Sequence, residues 1–342
     1  MKVLVTGGAG FIGANLCRRL AGLAEVERIT VLDDLSTGDA RNLADLPVEL
    51  AEGSILDSGL LARLVTGATT VIHLAARPSV PRSLADPLAS HAVNATGTLH
   101  VLEACRATRP HVILASSSSV YGDSPAPYKH EDLPTRPLSP YGATKLATEA
   151  YALAYAASFA LPVLPFRFFN VYGPLQPAGH AYAAVIPAFV SAALRGLPVP
   201  IHGDGAQARD FTYVGSVTEV LADAAVRRVT SGTPVNLAFG ARISLLSLKD
   251  ALAEVLGRPV EAEFLHARAG DIRESQASAR LLLGLFPAVR PVPLADGLRA
   301  TVEWFRRSAE PVGAGHRETV PPGRPVDSSQ PCRSMSTGEV GD

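Results

Sequence analysis

The run YGATK sets Tyr141 and Lys145 four residues apart, a spacing that brings two side chains to one face of a helix with Cβ atoms about 5–6 Å apart. A tyrosine with its ordinary pKa near 10 is a poor base at neutral pH. One cation about 6 Å away, at an effective dielectric of 20, favours the phenolate by roughly 3 kcal/mol, or about 2 pKa units. A lysine so placed turns the phenol into a general base able to remove a hydroxyl proton. The run ASSSSVYG (Ala115–Gly122) supplies hydroxyls to orient the oxygen that loses it. Either string alone is weak, because Y-x-x-x-K recurs by chance and serine runs are mostly polar loops.

A third string offers a redox partner. In TGGAGFIG (Thr6–Gly13), Gly7, Gly10 and Gly13 are spaced G-x-x-G-x-x-G between a predicted strand and a predicted helix. Glycines let the backbone turn tightly and approach a pyrophosphate, which meets the free N–H groups of the helix start. Asp33 follows 20 positions after Gly13, where a carboxylate accepts both ribose hydroxyls of NAD. A 2′-phosphate there would meet a like charge, and no Arg follows immediately, so NAD is favoured over NADP. The competing reading is that Asp33 and Asp34 only start a turn before Ser36.

These groups need a scaffold that presents them at one edge. Strands are predicted at Lys2–Thr6, Arg28–Asp33, Val48–Glu52, Thr70–Leu74, His111–Ser116 and Val163–Phe168. Between them fall helices at Ile12–Ala24, at Leu84–Ala107 and from Pro140 onward. That alternation predicts an α/β, Rossmann-type doubly wound parallel sheet over residues 1–169. After Phe169, Gly- and Pro-rich loops with helices at Pro187–Gly196 and Val217–Arg228 predict a smaller, discontinuous mixed α/β domain for the substrate over 170–308. Asp210–Val214 and Val235–Ala238 are expected to return to the sheet. Apolar stripes on the long helices (Leu88, Ala92, Leu99; Leu146, Ala150, Leu153) are read mostly as core. Residues 309–342 lack apolar periodicity and are expected to be a disordered tail.

Composition narrows the function. The 342 residues carry a formal charge of −1, with 47% hydrophobic and 18% charged residues, which points away from nucleic acid and anionic membranes. Cys17, Cys105 and Cys332 have no metal-ligand spacing, so no metal site is expected. The N-terminal run reaches glycine by position 7, before an apolar signal segment could form. Tyr182–Leu194 is too short to span a bilayer. A soluble, cytoplasmic protein is expected.

The strings VTGGAGFIG, LDDLSTG, HLAA (73–76), NATGT (94–98), SSSSVYG, SPYGATK, RFFNVYGP (167–174), GDGAQARDFTYV (203–214) and RAGDIRESQ (268–276) resemble the extended short-chain dehydrogenase/reductase superfamily. Within it they are similar to the UDP-hexose 4-epimerases, from Met1 to about Arg307. The resemblance implies NAD contacts from Gly7, Gly10, Phe11, Ile12, Gly13 and Asp33, then from Ser54, Ile55, Leu74, Ala75 and Ala76. Asn94, Tyr141, Lys145 and Phe169 complete that cofactor set. It implies Ser117 on the reacting hydroxyl with Ser118 beside it, Tyr141 as base, and Lys145 as its cofactor-bound helper. Asn170, Arg209, Arg268 and Asp271 would hold the UDP diphosphate and ribose, His202 would pack on uracil, and Val185 would face the substrate.

The resemblance has departures. Ser54 stands where an acidic residue often meets the adenine, and Gly215-Ser216 where an acidic residue is frequent. Ser275 replaces the tyrosine of galactose-restricted epimerases, leaving room for a 2-N-acetyl group. SVPRS (79–83) and YAAVIP (182–187) are likewise similar to the branch acting on UDP-N-acetylhexosamines. The implied activity is 4-epimerisation of a UDP-sugar, UDP-GlcNAc/GalNAc favoured over UDP-Glc/Gal, by a homodimer. The alternatives are UDP-glucuronate 4-epimerisation, nucleotide-sugar 4,6-dehydration, for which Ser118 and Ser119 replace the expected Asp-Glu, and non-catalytic NAD binding.

Overall fold

The strands most uniformly apolar in sequence lie at the centre of the molecule. The structure is a computed structural model that describes residues 1–178, 184–266 and 274–308 (Glu274 by its backbone alone). Met1–Ser308 forms one compact unit. Along the chain come β1 (Lys2–Thr6), α1 (Phe11–Ala21), β2 (Arg28–Asp33), β3 (Val48–Glu52), α2 (Ser58–Val65) and β4 (Thr70–His73). Short helices α3 (Val80–Ala85), α4 (Pro87–His91) and α5 (Gly97–Cys105) precede β5 (His111–Ser117), α6 (Pro140–Phe159) and β6 (Val163–Phe168). The segment Leu84–Ala107 is therefore not one helix. Pro87 cannot donate to the preceding turn; Asp86 instead caps a fresh start by accepting from Ala89 N at 3.0 Å, and a π turn over Ala92–Thr96 leads into α5.

Beyond β6 lie β7 (Val171–Tyr172), α7 (Val185–Leu194), β8 (Val199–His202), β9 (Ala208–Arg209), β10 (Thr212–Tyr213), α8 (Val214–Arg227) and β11 (Val235–Leu237). Then follow β12 (Ile243–Ser244), α9 (Leu245–Leu256), β13 (Ala262–Leu265), β14 (Glu274–Ser275), α10 (Arg280–Leu285) and α11 (Leu294–Ser308). The main sheet runs β3-β2-β1-β4-β5-β6-β11, every neighbouring pair parallel. Strand order reverses between β1 and β4, and the crevice beyond their carboxyl ends is where such sheets bind ligands. Val235–Leu237 returns to this sheet as expected; Asp210–Val214 does not. β11 already occupies the outer edge of β6, so Thr212–Tyr213 pairs instead with Val171–Tyr172.

Apolar packing covers both faces of the sheet. Leu16, Leu20, Val220 and Leu221 pack on one side, and Leu61, Val101, Leu102 and Ala152 on the other. A further cluster, including Phe189, Ile201, Leu248 and Leu298, belongs to the later segments. The expected core stripes follow this pattern only in part, with Leu99 and Leu146 packed against the core clusters. Leu88 is 84% exposed and Ala150 is exposed, while Ala92, Leu99, Leu146 and Leu153 are half-buried. The interior of the sheet is filled from the other faces of these helices, by Val101, Leu102 and Ala152.

Candidate active site

The glycine turn is dictated by backbone crowding. Gly7 has φ +74°, and a Cβ there would lie 2.6 Å from Ala75 N. A Cβ on Gly13 would overlap the Gly7 carbonyl oxygen and come within 2.6 Å of Gly8 Cα. Gly10 is the N-cap of α1 and has ordinary space around it. No side chain caps that helix and no acidic residue sits in its first turn. The N–H groups of Phe11, Ile12 and Gly13 thus have no acceptor within the helix, as an anion-binding start requires.

Asp33, expected to face a ribose, also braces the glycine turn. Its Oδ2 accepts from Ala9 N at 2.9 Å and its Oδ1 from Leu35 N at 3.0 Å, clamping the glycine turn to the end of β2. Burial pushes its pKa up, and those two N–H bonds oppose the rise. Each carboxylate oxygen keeps a second lone pair for a hydroxyl donor. The groups present therefore fit a dinucleotide: open N–H donors for pyrophosphate and a buried carboxylate for ribose. Leu74 and Ala75 run on from β4 against this turn, donating to Thr6 O at 3.0 Å and Thr6 Oγ1 at 3.4 Å, and Ala76 follows half-buried. Farther along, Ser54 Oγ accepts from Leu56 N at 3.2 Å, and Ile55 is buried against Gly97.

Two residues of the expected cofactor set have structural work of their own. Asn94 accepts from Arg77 N at 2.7 Å and donates to Arg77 O at 3.2 Å and Thr144 Oγ1 at 3.1 Å, so its amide is engaged within the protein. Phe169 is 0% exposed and packs with Val120, Tyr121 and Ala238. Its ring serves the interior rather than an open cleft.

The groups expected to react meet where β5 ends. Ser117 closes that strand, and Ser118 opens the 3-10 turn Ser118–Tyr121. Ser139 caps α6 by accepting from Gly142 N at 3.1 Å, with Pro140 in the first turn. A Cβ on Gly142 would lie 2.9 Å from Ser119 O, so glycine next to Tyr141 lets the helix approach the serine turn. The Tyr141 phenol faces Ser117, whose hydroxyl favours the ionised form of the phenol. Ser117 Oγ also accepts from Ser119 N at 3.2 Å and Ser119 Oγ at 2.9 Å. Lys145 Nζ, 5% exposed, donates to Ala115 O at 2.8 Å.

The electrostatics differ from the sequence expectation. Burial pushes the Tyr141 pKa up, with the Ser117 bond opposing, and burial pushes Lys145 down to about 8. In the protein alone, desolvation outweighs the Ser117 hydroxyl at the phenol, and it alone lowers Lys145. Sequence reasoning also missed Ser83, whose Oγ accepts from Tyr141 N at 3.0 Å, and Ser119.

His73 ties the two halves of this site together. Its Nδ1 lies 2.7 Å from Thr6 Oγ1 and its Nε2 3.1 Å from Thr98 Oγ1, and Thr98 donates to Asn94 O at 2.6 Å. Burial, with Lys145 adding to it, holds the His73 pKa down at about 3. The folded protein therefore keeps a neutral imidazole that the unfolded chain protonates below pH 6.5. Its contribution to stability is full above pH 6.5 and is lost as pH falls toward about 3. Between pH 7 and 5 wild type should lose about 2 kcal/mol more stability than His73→Gln. Urea midpoints at the two pH values measure this, and equal losses would refute it.

A cavity of about 190 Å³ gathers Asn170, Val185, His202 and Arg209 from the expected substrate set. Gln207 and Phe211, which the sequence did not single out, also line it. Gln207 Nε2 donates to His202 O at 2.5 Å, and Asn170 Nδ2 donates to Asp210 O at 3.2 Å. Ser275, half-buried, pairs in β14 with Arg209 in β9 and accepts through its carbonyl from Asp210 N at 2.9 Å. Arg268 and Asp271 lie outside the described residues. Among the described residues no cluster of His, Cys, Asp or Glu could hold a metal, and no helix is long and apolar enough to cross a membrane.

The model of the NAD dependent epimerase/dehydratase family matches residues 3–238. A UDP-glucose 4-epimerase of Mycolicibacterium smegmatis is 39% identical over 323 residues, spanning 91% of this chain and all of that protein. The UDP-N-acetylglucosamine 4-epimerase of Methanobrevibacter ruminantium, solved with UDP-N-acetylmuramic acid, superposes with TM-score 0.85 at 34% identity, covering 90% of this chain and 98% of that one. The UDP-glucuronic acid 4-epimerase of Bacillus cereus, solved with UDP-glucuronic acid and NAD, gives TM-score 0.81 at 29% identity, covering 90% of this chain and all of that one.

Proposed function

The chain belongs to the NAD-dependent epimerase/dehydratase family, and on that premise we propose that it is a UDP-sugar 4-epimerase with UDP-N-acetylhexosamines as its favoured substrates. NAD, when bound, supplies the acceptor and donor of a hydride. Tyr141 takes the proton of the C4 hydroxyl as that carbon is oxidised to a ketone, and returns it after the sugar has presented its other face. Ser117 Oγ steers the same oxygen, and Lys145 holds positive charge beside the phenol. The sugar loses and regains one hydride and one proton, so turnover needs no net oxidant. The observation that carries this reading is the Tyr141 phenol set against Ser117 at the end of β5, with Lys145 one helical turn on and anchored on Ala115 O.

The cavity supports the nucleotide half of the reading. Arg209 brings a guanidinium suited to a diphosphate, while His202 and Phe211 offer rings to a base. Ser275, beside Arg209, keeps the sugar side small enough for a 2-N-acetyl group. Incubation of wild type and Ser275→Tyr with UDP-GlcNAc, UDP-glucose and UDP-glucuronate, read by NMR, tests both points. Wild type is expected to form the C4 epimer of UDP-GlcNAc, and the variant to lose that substrate selectively. No 4-epimer from any of the three, or a variant of unchanged selectivity, would sink the respective claim. A 4-keto-6-deoxy product would mean dehydration instead.

The protein is further proposed to act as a homodimer. Leu88, 84% exposed, and the exposed Ala150 lie on helices α4 and α6, which pack together and leave these apolar side chains uncovered. Light scattering is expected to give twice the chain mass; a monomer would remove the proposal.

A further inference from the structure

Beneath the reacting groups lies an ion pair that the chemistry above does not use. Glu149 and Arg167 are 2% and 4% exposed. Glu149 Oε1 accepts from Arg167 Nε at 2.9 Å and its Oε2 from Arg167 Nη2 at 2.8 Å. Burying two charges rarely stabilises a fold more than apolar residues of the same volume would. What the pair touches suggests another use. Ser116 Oγ donates to Glu149 Oε1 at 2.5 Å and lies 3.3 Å from Lys145 O. Ser116 precedes Ser117, and it stands opposite Arg167 in the β5–β6 register. Glu149 is one turn beyond Lys145 and two beyond Tyr141 on α6. The pair therefore fastens the strand end that carries Ser117 to the helix that carries Tyr141 and Lys145.

We propose that Glu149 and Arg167 are positioning residues for this reaction, fixing Ser117 against Tyr141 and keeping the ground beneath Tyr141 and Lys145 free of net charge. The inference rests on Tyr141 being the base. The surrounding groups leave that neutrality to the pair. His73 on β4 is held neutral by burial. Tyr121 accepts from Arg167 Nη1 at 2.8 Å and donates to Asn236 Oδ1 at 2.7 Å. Glu131 meets Arg167 through its carbonyl at 3.4 Å, with its carboxylate on Asn236 N, and Lys129 Nζ donates to Ser124 O and Ala126 O.

Glu149→Gln keeps shape and removes one charge, leaving Arg167 permanently cationic. At 1.5 Å per residue Glu149, to which that cation is bonded, lies about 12 Å along α6 from Tyr141 and nearer to Lys145. It should move both titrations down by about 1 pH unit. The expected result is that the whole bell of kcat/KM against pH shifts to lower pH in Glu149→Gln and returns in Glu149→Gln/Arg167→Gln. Tyr141 ionisation, read in the NAD-loaded protein as ultraviolet absorbance relative to Tyr141→Phe, should shift the same way. That reading needs no turnover, so it stands apart from whether the sugar assignment is right. Ser116→Ala, which changes no charge, should lower kcat roughly tenfold at unchanged KM and leave the bell in place. If the charge variants do not fold, Ser116→Ala decides the positioning claim. An unmoved bell in a folded Glu149→Gln protein, or wild-type kcat in Ser116→Ala, would overturn the proposal.

Discussion

Tyr141→Phe is expected to lower kcat by about 10²–10⁴-fold while the protein stays folded and keeps its cofactor. The substitution removes one oxygen from a ring that is already packed, so the cost falls on proton transfer rather than on shape. It also strips Ser117 of a hydrogen-bond partner. Ser117 retains Ser119 N and Ser119 Oγ as donors, which holds its side chain where it stands. Binding of the nucleotide sugar, proposed to rest on Arg209 and His202 in the cavity, should change little. Progress curves with the best substrate, together with nucleotide released on denaturation, measure both sides. A loss of less than tenfold would mean that another group moves the proton.

Gly13→Ala is expected to abolish retained NAD and to destabilise the protein by about 1–3 kcal/mol, the usual cost of forcing atoms into a packed site. The added methyl meets backbone, the Gly7 carbonyl and Gly8 Cα, which cannot swing away as a side chain could. To make room, α1 must retreat from β1, and its first N–H groups then no longer point where a pyrophosphate would sit. Gly22→Ala is the control at the other end of the same helix. Its φ of −88° suits alanine and its nearest neighbour is 3.7 Å away. That variant should match or slightly exceed wild type in thermal unfolding. Retained nucleotide in Gly13→Ala would show that the crowding is relieved elsewhere.

Most of the scaffold was legible because buried parallel strands are written as short β-branched runs. Lys2–Thr6, Arg28–Asp33 and Val163–Phe168 have the bounds their residues predict, as does the more exposed edge strand Val48–Glu52. The break at Pro87 was also legible, but helical periodicity on both sides of it masked the punctuation. Placing Asp210–Val214 in the main sheet failed for a different reason. Short strands compete for one open edge, and sequence does not say that Val235–Leu237 occupies it.

Within the site, spacing found Tyr141, Lys145 and the glycines because each must occupy a fixed turn. It could not find Ser83, which meets Tyr141 from 58 positions away, and it passed over Ser119 and Gln207, whose local bonds to Ser117 and His202 two and five positions away carry no motif of their own. Asn94 and Phe169 look alike in sequence whether they face a ligand or the interior, and in the protein alone both side chains are buried. Glu149 and Arg167 did leave a signal: one charge among alanines in a helix, another inside an apolar strand. A lone buried charge is costly, so two such residues are best sought as a pair.

The seventh strand has a consequence for biogenesis. β11 is the last strand to join the main sheet, and 66 residues separate its first residue, Val235, from Phe168 at the end of β6. At a synthesis rate of about 5–20 residues per second, that edge stays open for roughly 3–13 s on each nascent chain. An unpaired strand edge is a template for pairing with other chains. Chains that stop short of Val235 would present β6 uncovered, which makes the interval before β11 arrives the one in which a chaperone has most to protect.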